Sequence, residues 1–229
     1  MTIELEFSRK YDRMHAAEYL RKHRTGLARR LSHWREESIA RKALKLAGDP
    51  ASVLDLPCGA GRFWPLLAER ADRTILAADN SVDMLATARA AQPANVVARI
   101  DTFQTSAFEI GLETGAVDCV FCIRLLHHIE RSEHRLALLR ELHRVCRDAT
   151  VVSLWVDGNY KSWKRRRLET RRARRGEEMQ NRFVARRETV EAEFLEAGFQ
   201  IAAALDFLPG YAMWRTYVLR KPVSRTCAT

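Results

Sequence analysis

No stretch of the 229 residues approaches the roughly 20 uninterrupted apolar residues that a membrane-spanning helix needs. That excludes an integral helical membrane protein. The first ten residues carry Glu4 and Glu6 and have no apolar h-region, so no secretory signal is read. Cysteine is scarce and odd in number, five in all, and its spacing suggests no disulfide framework. The cysteines therefore read as reduced thiols in a cytoplasmic protein. Cys119-Val-Phe-Cys122 is a C-x-x-C, but it lies in a predicted strand, where residues three apart face opposite sides. No second pair exists and His127, His128 and His134 lack the H-E-x-x-H spacing, so no metal is expected.

What is there is an ordinary globular composition, 47% hydrophobic and 30% charged, with a net charge of +10. That balance excludes global disorder. The charge is uneven. Residues 1–48 hold twelve Lys/Arg against six Asp/Glu, and residues 161–187 hold twelve against three. The rest is slightly acidic. Basic appendages of this kind attract anionic partners: RNA, phospholipid head groups or phosphorylated small molecules.

Residues 8–47 read as helical with a break at Gly26, and Leu20, Leu27, Leu31, Trp34 and Ile39 fit one face. Gly48-Asp49-Pro50 stops the helix. Then strands alternate with helices. Strands are predicted at 52–56, 73–78, 95–100, 117–123 and 149–155, and helices at 63–71, 82–91 and 132–147. After the basic stretch come a helix at 188–197 and strands at 199–207 and 214–219, joined through Pro209-Gly210. This pattern predicts an α/β fold with a mostly parallel, Rossmann-like sheet, helices on both faces and an antiparallel C-terminal hairpin. The expected organisation is a helical N-terminal cap at 1–49, a core at 50–157 and a basic insertion or lid at 158–187. A helix and hairpin at 188–221 complete the sheet, and 222–229 is a tail.

The sharpest signal is Val53-Leu-Asp-Leu-Pro-Cys-Gly-Ala-Gly-Arg-Phe63, a strand, a tight turn and a helix in immediate order. Such a turn offers backbone N–H groups and room for a ligand at the carboxyl end of the first strand. It lacks the Gly-Lys-Ser/Thr ending of a P-loop. It also lacks the third glycine of a dinucleotide fingerprint, whose place is taken by Trp64.

The turn resembles the first motif of the class I S-adenosylmethionine-dependent methyltransferases, D/E-x-G-x-G-x-G. Asp55, Gly59 and Gly61 match, and Pro57 replaces the first glycine. The resemblance covers residues 50–157 well and implies S-adenosyl-L-methionine as cofactor. It assigns Asp55, Pro57, Cys58, Gly59, Ala60 and Gly61 to the binding turn. Asp79, at the end of strand two, would accept from both ribose hydroxyls, with Asn80 and Met84 beside it. Asn80 or Ser81 can cap the following helix. Ser106 and Ala107 take the adenine edge, in preference to Asp101, and Cys122 closes the set at the end of strand four. The Leu-His-His after that strand resembles small-molecule members of the family.

Methyl transfer needs alignment and exclusion of water, and a base only where the nucleophile must lose a proton. His127 and His128 are the candidate bases, expected on different faces if the strand continues. Arg124 is the candidate to orient an anion. The expected reaction is methyl transfer to a small-molecule or lipid acceptor, anionic in character. RNA is the alternative acceptor, peripheral contact with a membrane a further partner class, and a non-catalytic cofactor-binding module the rival outside enzymes.

Overall fold

The computed structural model describes residues 27–176 and 182–222. Helix α1 spans Leu27–Leu46, followed by β1 (Ser52–Asp55), α2 (Trp64–Leu67), β2 (Thr74–Asp79), α3 (Val82–Ala91), α4 (Ala94–Val97) and β3 (Ile100–Gln104). Then come β4 (Val117–Cys122), α5 (Ser132–Val145), β5 (Cys146–Trp155), α6 (Tyr160–Arg174), α7 (Arg187–Glu196), β6 (Gln200–Asp206) and β7 (Trp214–Arg220).

The strands form one seven-stranded sheet in the order β3-β2-β1-β4-β5-β7-β6. β1 to β5 pair in parallel, and β7 runs antiparallel between β5 and the edge strand β6. Alternation along each strand sorts side chains into two cores. Val53, Cys119, Phe121, Val151 and Val218 face α1–α4, whereas Leu54, Val120, Cys122, Val152 and Leu219 face α5 and α7. Cys119 and Cys122 thus lie on opposite faces, which is why that pair cannot chelate. Chain order reverses between β1 and β4, and open α/β sheets hold ligands beyond the carboxyl ends of the strands at such a point.

Three expectations are corrected. The predicted strand at 95–100 is instead α4, which Pro93 caps, and β3 begins only at Ile100. Val96 is buried against the sheet, so its burial in a helical turn outweighs its preference for strand. The helix expected at 63–71 contracts to the single turn Trp64–Leu67. In α1 the buried face is Ile39, Ala40, Ala43, Leu44 and Ala47, while Leu31 and Trp34 are exposed. Alanines were the informative residues there, because α1 lies close against the sheet. Leu20 and the predicted break at Gly26 fall outside the described residues.

Candidate active site

The turn after β1 straddles the switch point. The Leu56 N–H donates to the Phe121 carbonyl of β4 (3.1 Å) and the Cys58 N–H to the Ala78 carbonyl of β2 (2.9 Å). Between them the Leu56–Pro57 peptide is cis. Gly59 and Gly61 have φ of +53° and +68°, a region that side chains disfavour. A Cβ on Gly61 would stand 2.7 Å from the buried Trp64 ring, so the glycine makes room for the indole. The bulky residue that argued against a dinucleotide fingerprint is therefore what this glycine accommodates. Ala60 is buried, and its carbonyl accepts from Gln92 (3.2 Å).

Asp79 ends β2 and reaches back to the turn. Its Oδ2 accepts from the Gly59 N–H (2.9 Å) and its Oδ1 from the Ser81 N–H (3.0 Å). Burial raises its carboxyl above the usual range, opposed by those N–H groups and that of Asn80. Ser81 caps α3 by accepting from the Met84 N–H (3.2 Å), which leaves Asp79 to its other task. Asn80 is exposed, and the Met84 methyl lies over Gly59. Asp55 is only 2% exposed, and its Oδ2 has no hydrogen-bond partner. Burial first, then the negative Asp79, pushes its carboxyl well above the ordinary range; the Trp64 indole opposes the shift.

The Thr105 N–H donates to the Asp79 carbonyl (3.1 Å), which carries Ser106 and Ala107 alongside the end of β2. Asp101 pairs with Leu76, three positions back along the ladder, away from this edge. Cys58 and Cys122 are buried, and burial raises both thiols, so they pack rather than react. Cys122 is wholly enclosed in the core beneath the turn, so its side chain offers no surface to a ligand.

Beyond β4 the chain does not continue as a strand. Arg124 takes a φ of +66°, its N–H donates to Ser153 Oγ (2.9 Å), and Leu126–His128 forms a 3₁₀ turn. The two histidines consequently do not point to opposite faces; their rings are 4.0 Å apart. His127 is buried between Trp155 (5.1 Å) and Trp214 (4.7 Å). Burial, then His128 and the cations Arg182, Arg124 and Arg165, push its pKa down to about 2. It stays neutral at any ordinary pH and is a feeble proton acceptor. His128 is half-buried.

Residue-by-residue reading of the sequence missed four further members. Glu36 of α1 pairs with both Arg62, in the glycine turn, and Arg124, at the exit of β4. Trp155 and Trp214 meet edge to face (5.5 Å), and the Arg124 guanidinium lies over Trp214 (5.2 Å). Only their position at the ends of β5 and β7 could have flagged the tryptophans. Nothing local marks Glu36. Together Glu36, Phe63, Arg124, Ser153, Phe207 and Trp214 line a shallow open cleft between α1 and the carboxyl edge of the sheet.

A parallel sheet reversing between β1 and β4, a left-handed glycine turn at that point and a carboxylate closing β2 over it define the class I methyltransferase fold. Residues 53–149 match the family described as a methyltransferase domain. No curated protein sequence matches the chain. Among solved structures, the magnesium protoporphyrin IX methyltransferase of Synechocystis PCC 6803, with bound SAH, superposes with a TM-score of 0.74 at 16% identity. That match covers 94% of this chain and 99% of the other. A SAM-dependent methyltransferase from Methanosarcina mazei gives 0.60 at 14% identity, covering 74% and 92%. A putative O-methyltransferase from Nostoc punctiforme gives 0.61 at 21%, covering 80% and 56%. At these identities the likeness is one of fold.

Proposed function

We propose that the chain transfers a methyl group from S-adenosyl-L-methionine to a small-molecule or lipid acceptor that bears an anionic group. The observation that carries the cofactor is Asp79, held against the Gly59 N–H at the end of β2. A carboxylate has about four lone-pair directions, and backbone N–H groups on one side occupy only part of them. The remainder suits hydroxyl donors such as those of a ribose. Asp55 adds a buried oxygen without a partner beneath the turn, a group that a bound donor would satisfy. Gly59 and Gly61 let the backbone approach, and Ser106 and Ala107 stand where a flat ring would lie beyond the ribose. When bound, the cofactor supplies an electrophilic methyl on a cationic sulfur.

The chain's own part is alignment and exclusion of water. The aromatic walls Phe63, Phe207 and Trp214 suit a flat or apolar acceptor body, and Arg124 suits its anion. Glu36 already balances Arg62 and Arg124, so an incoming anion would compete with it for the guanidinium groups. His127, buried and held neutral, backs the Trp214 ring that lines the cleft. Where the nucleophile must be deprotonated, the task falls to His128.

Methyl-labelled cofactor, purified protein and a cell extract split into lipid, small-molecule, RNA and protein fractions provide the test. Label is expected in the lipid or small-molecule fraction, and the Asp79→Ala protein should keep its fold while losing cofactor affinity at least tenfold, the loss of a charge-assisted hydrogen-bond pair. Ribonuclease-sensitive label would reassign the acceptor. Cofactor binding without any labelling would favour a binding module, and unchanged affinity in the variant would remove Asp79 from the site.

A further inference from the structure

Helix α6 is inside out. Toward the body it presents Ser162, Arg165, Glu169 and Arg172, spaced three and four apart and all buried or half-buried. Toward solvent it presents Tyr160, Trp163 and Leu168, exposed by 49%, 50% and 47%. Its inner face is held by polar contacts: the Asn159–Ser162 capping box, Arg165 to Glu169 (2.7 Å), Arg165 to the Arg182 carbonyl (2.8 Å) and Arg165 over the Trp155 ring. Folding thus fills the inward face with polar residues and leaves the large apolar ones outward, among exposed cations. A helix on a soluble domain normally does the reverse.

The outward apolar residues do not stand alone. Tyr211, in the β6–β7 loop, stacks on Tyr160 (5.7 Å), and Leu208 of the same loop is 45% exposed. Backbone bonds from Tyr160 to Gly210 and from Lys161 to Tyr211 fix loop and helix together. Cations are interleaved with them: Lys161 lies over Tyr211 and Arg167 over Trp163. In all, α6 carries eight Lys/Arg against one Glu. The β6–β7 loop links the patch to the cleft, because Phe207, which lines the cleft, directly precedes Leu208.

We infer that this face docks on an anionic lipid surface, with Tyr160, Trp163, Leu168, Leu208 and Tyr211 entering the head-group region and the cations of α6 meeting phosphates. Aromatic rings flanked by Lys and Arg match an interface that is apolar below and charged above. The cations' aliphatic stems can lie along the apolar layer while their heads reach phosphate. RNA would use the rings and the charge, but it gives two exposed leucines nothing to do, since bases are held by stacking on aromatic groups. A second copy of the chain would bring one basic helix against another. The inference goes beyond the methyltransferase reading and supplies a reason for the cleft to open here: an amphiphilic acceptor could enter it from the bilayer.

The test is flotation of the full-length protein with phosphatidylcholine vesicles containing phosphatidylglycerol, or with phosphatidylcholine alone, in the absence of cofactor. The protein should float with the anionic vesicles only and be released by salt. Lys164→Gln and Arg167→Gln should each weaken partition about fivefold, and Trp163→Ser or Leu168→Ser about tenfold, with unchanged melting temperatures because all four residues are exposed. Failure to float, or flotation indifferent to Trp163→Ser and Leu168→Ser, overturns the inference. So does tight binding of a labelled single-stranded RNA that depends on Trp163 and not on Leu168, or a Trp163-dependent dimer seen by light scattering without vesicles. The readout needs neither cofactor nor acceptor, so its failure leaves the methyltransferase reading intact.

Discussion

Asp55 and Asp79 are two carboxyl groups buried at the ends of neighbouring strands, and the Asp79 charge adds to the cost of ionising Asp55. Both hold their protons to higher pH in the folded chain than in the unfolded one. Their contribution to stability is therefore fully present below the ordinary carboxylate range and is lost as pH rises from there through the raised values. Asp55→Asn removes a buried group that is costly to ionise where it stands. It should stabilise the ligand-free protein by about 1 kcal/mol, lifting the melting temperature by about 2–4 °C, while weakening cofactor binding. A lower melting temperature in differential scanning calorimetry would contradict this account. His127 has the opposite sign. Its folded pKa is about 2 against an ordinary value of 6.5, so its contribution is complete above 6.5 and is lost as pH falls. The slope approaches about 1.4 kcal/mol per pH unit. His127→Phe should flatten the fall in stability between about pH 6 and 5, measured by urea unfolding; an unchanged slope would show that the ring is not buried neutral. The glycine turn and the strand-end acid were legible because they lie close to fixed spacings. The histidine's state was not, since it depends on Trp155, Trp214 and three arginines from distant segments.

At the scale of elements, α5 and α7 are joined by a buried pair. Arg135 donates to both carboxylate oxygens of Glu193 (2.8 and 2.5 Å), and Ser132 donates to one of them. The same guanidinium donates to the Ile129 and Glu130 carbonyls (3.0 and 2.6 Å), so it also holds the turn that carries the histidines. Removing one partner strands a buried charge. Arg135→Ala should cost about 3–5 kcal/mol in chemical denaturation, and Arg135→Met with Glu193→Met should recover much of it. If the single variant loses under 1 kcal/mol, the pair is solvated in practice. Helices α3 and α5 could be read from the sequence almost to the residue, because Ser81 caps the first and a steady apolar period marks the second. The strand misread at 95–100 shows the limit: Val96 and Val97 favour strand locally, yet Pro93 starts a helical turn and the sheet takes Ile100 instead. Glu36 is the clearest omission, since a glutamate on a long helix has no local mark of reaching two arginines some 26 and 88 residues away.

For the whole molecule, a donor that bridges β1, β2 and the turn should stabilise the native chain by mass action. Saturation with S-adenosyl-L-methionine at about 100 times its dissociation constant adds about 2.7 kcal/mol, a rise of roughly 5–10 °C in melting temperature for a chain of this size. A thermal-shift titration checks it, and no shift would argue against the cofactor assignment. Among the described residues no helix is long and apolar enough to cross a membrane. By itself the sequence determined the alternating strand–helix order, the parallel sheet with its closing hairpin, and the glycine turn with its two acids, because these rest on periodicity and short spacings. Only the tertiary structure decided which face of α1 is buried, that β7 inserts between β5 and β6, that the histidines share one turn, and that α6 turns its tryptophan and leucine outward. Each of those depends on which distant surfaces meet, and burial, unlike backbone propensity, is a property of the assembled chain.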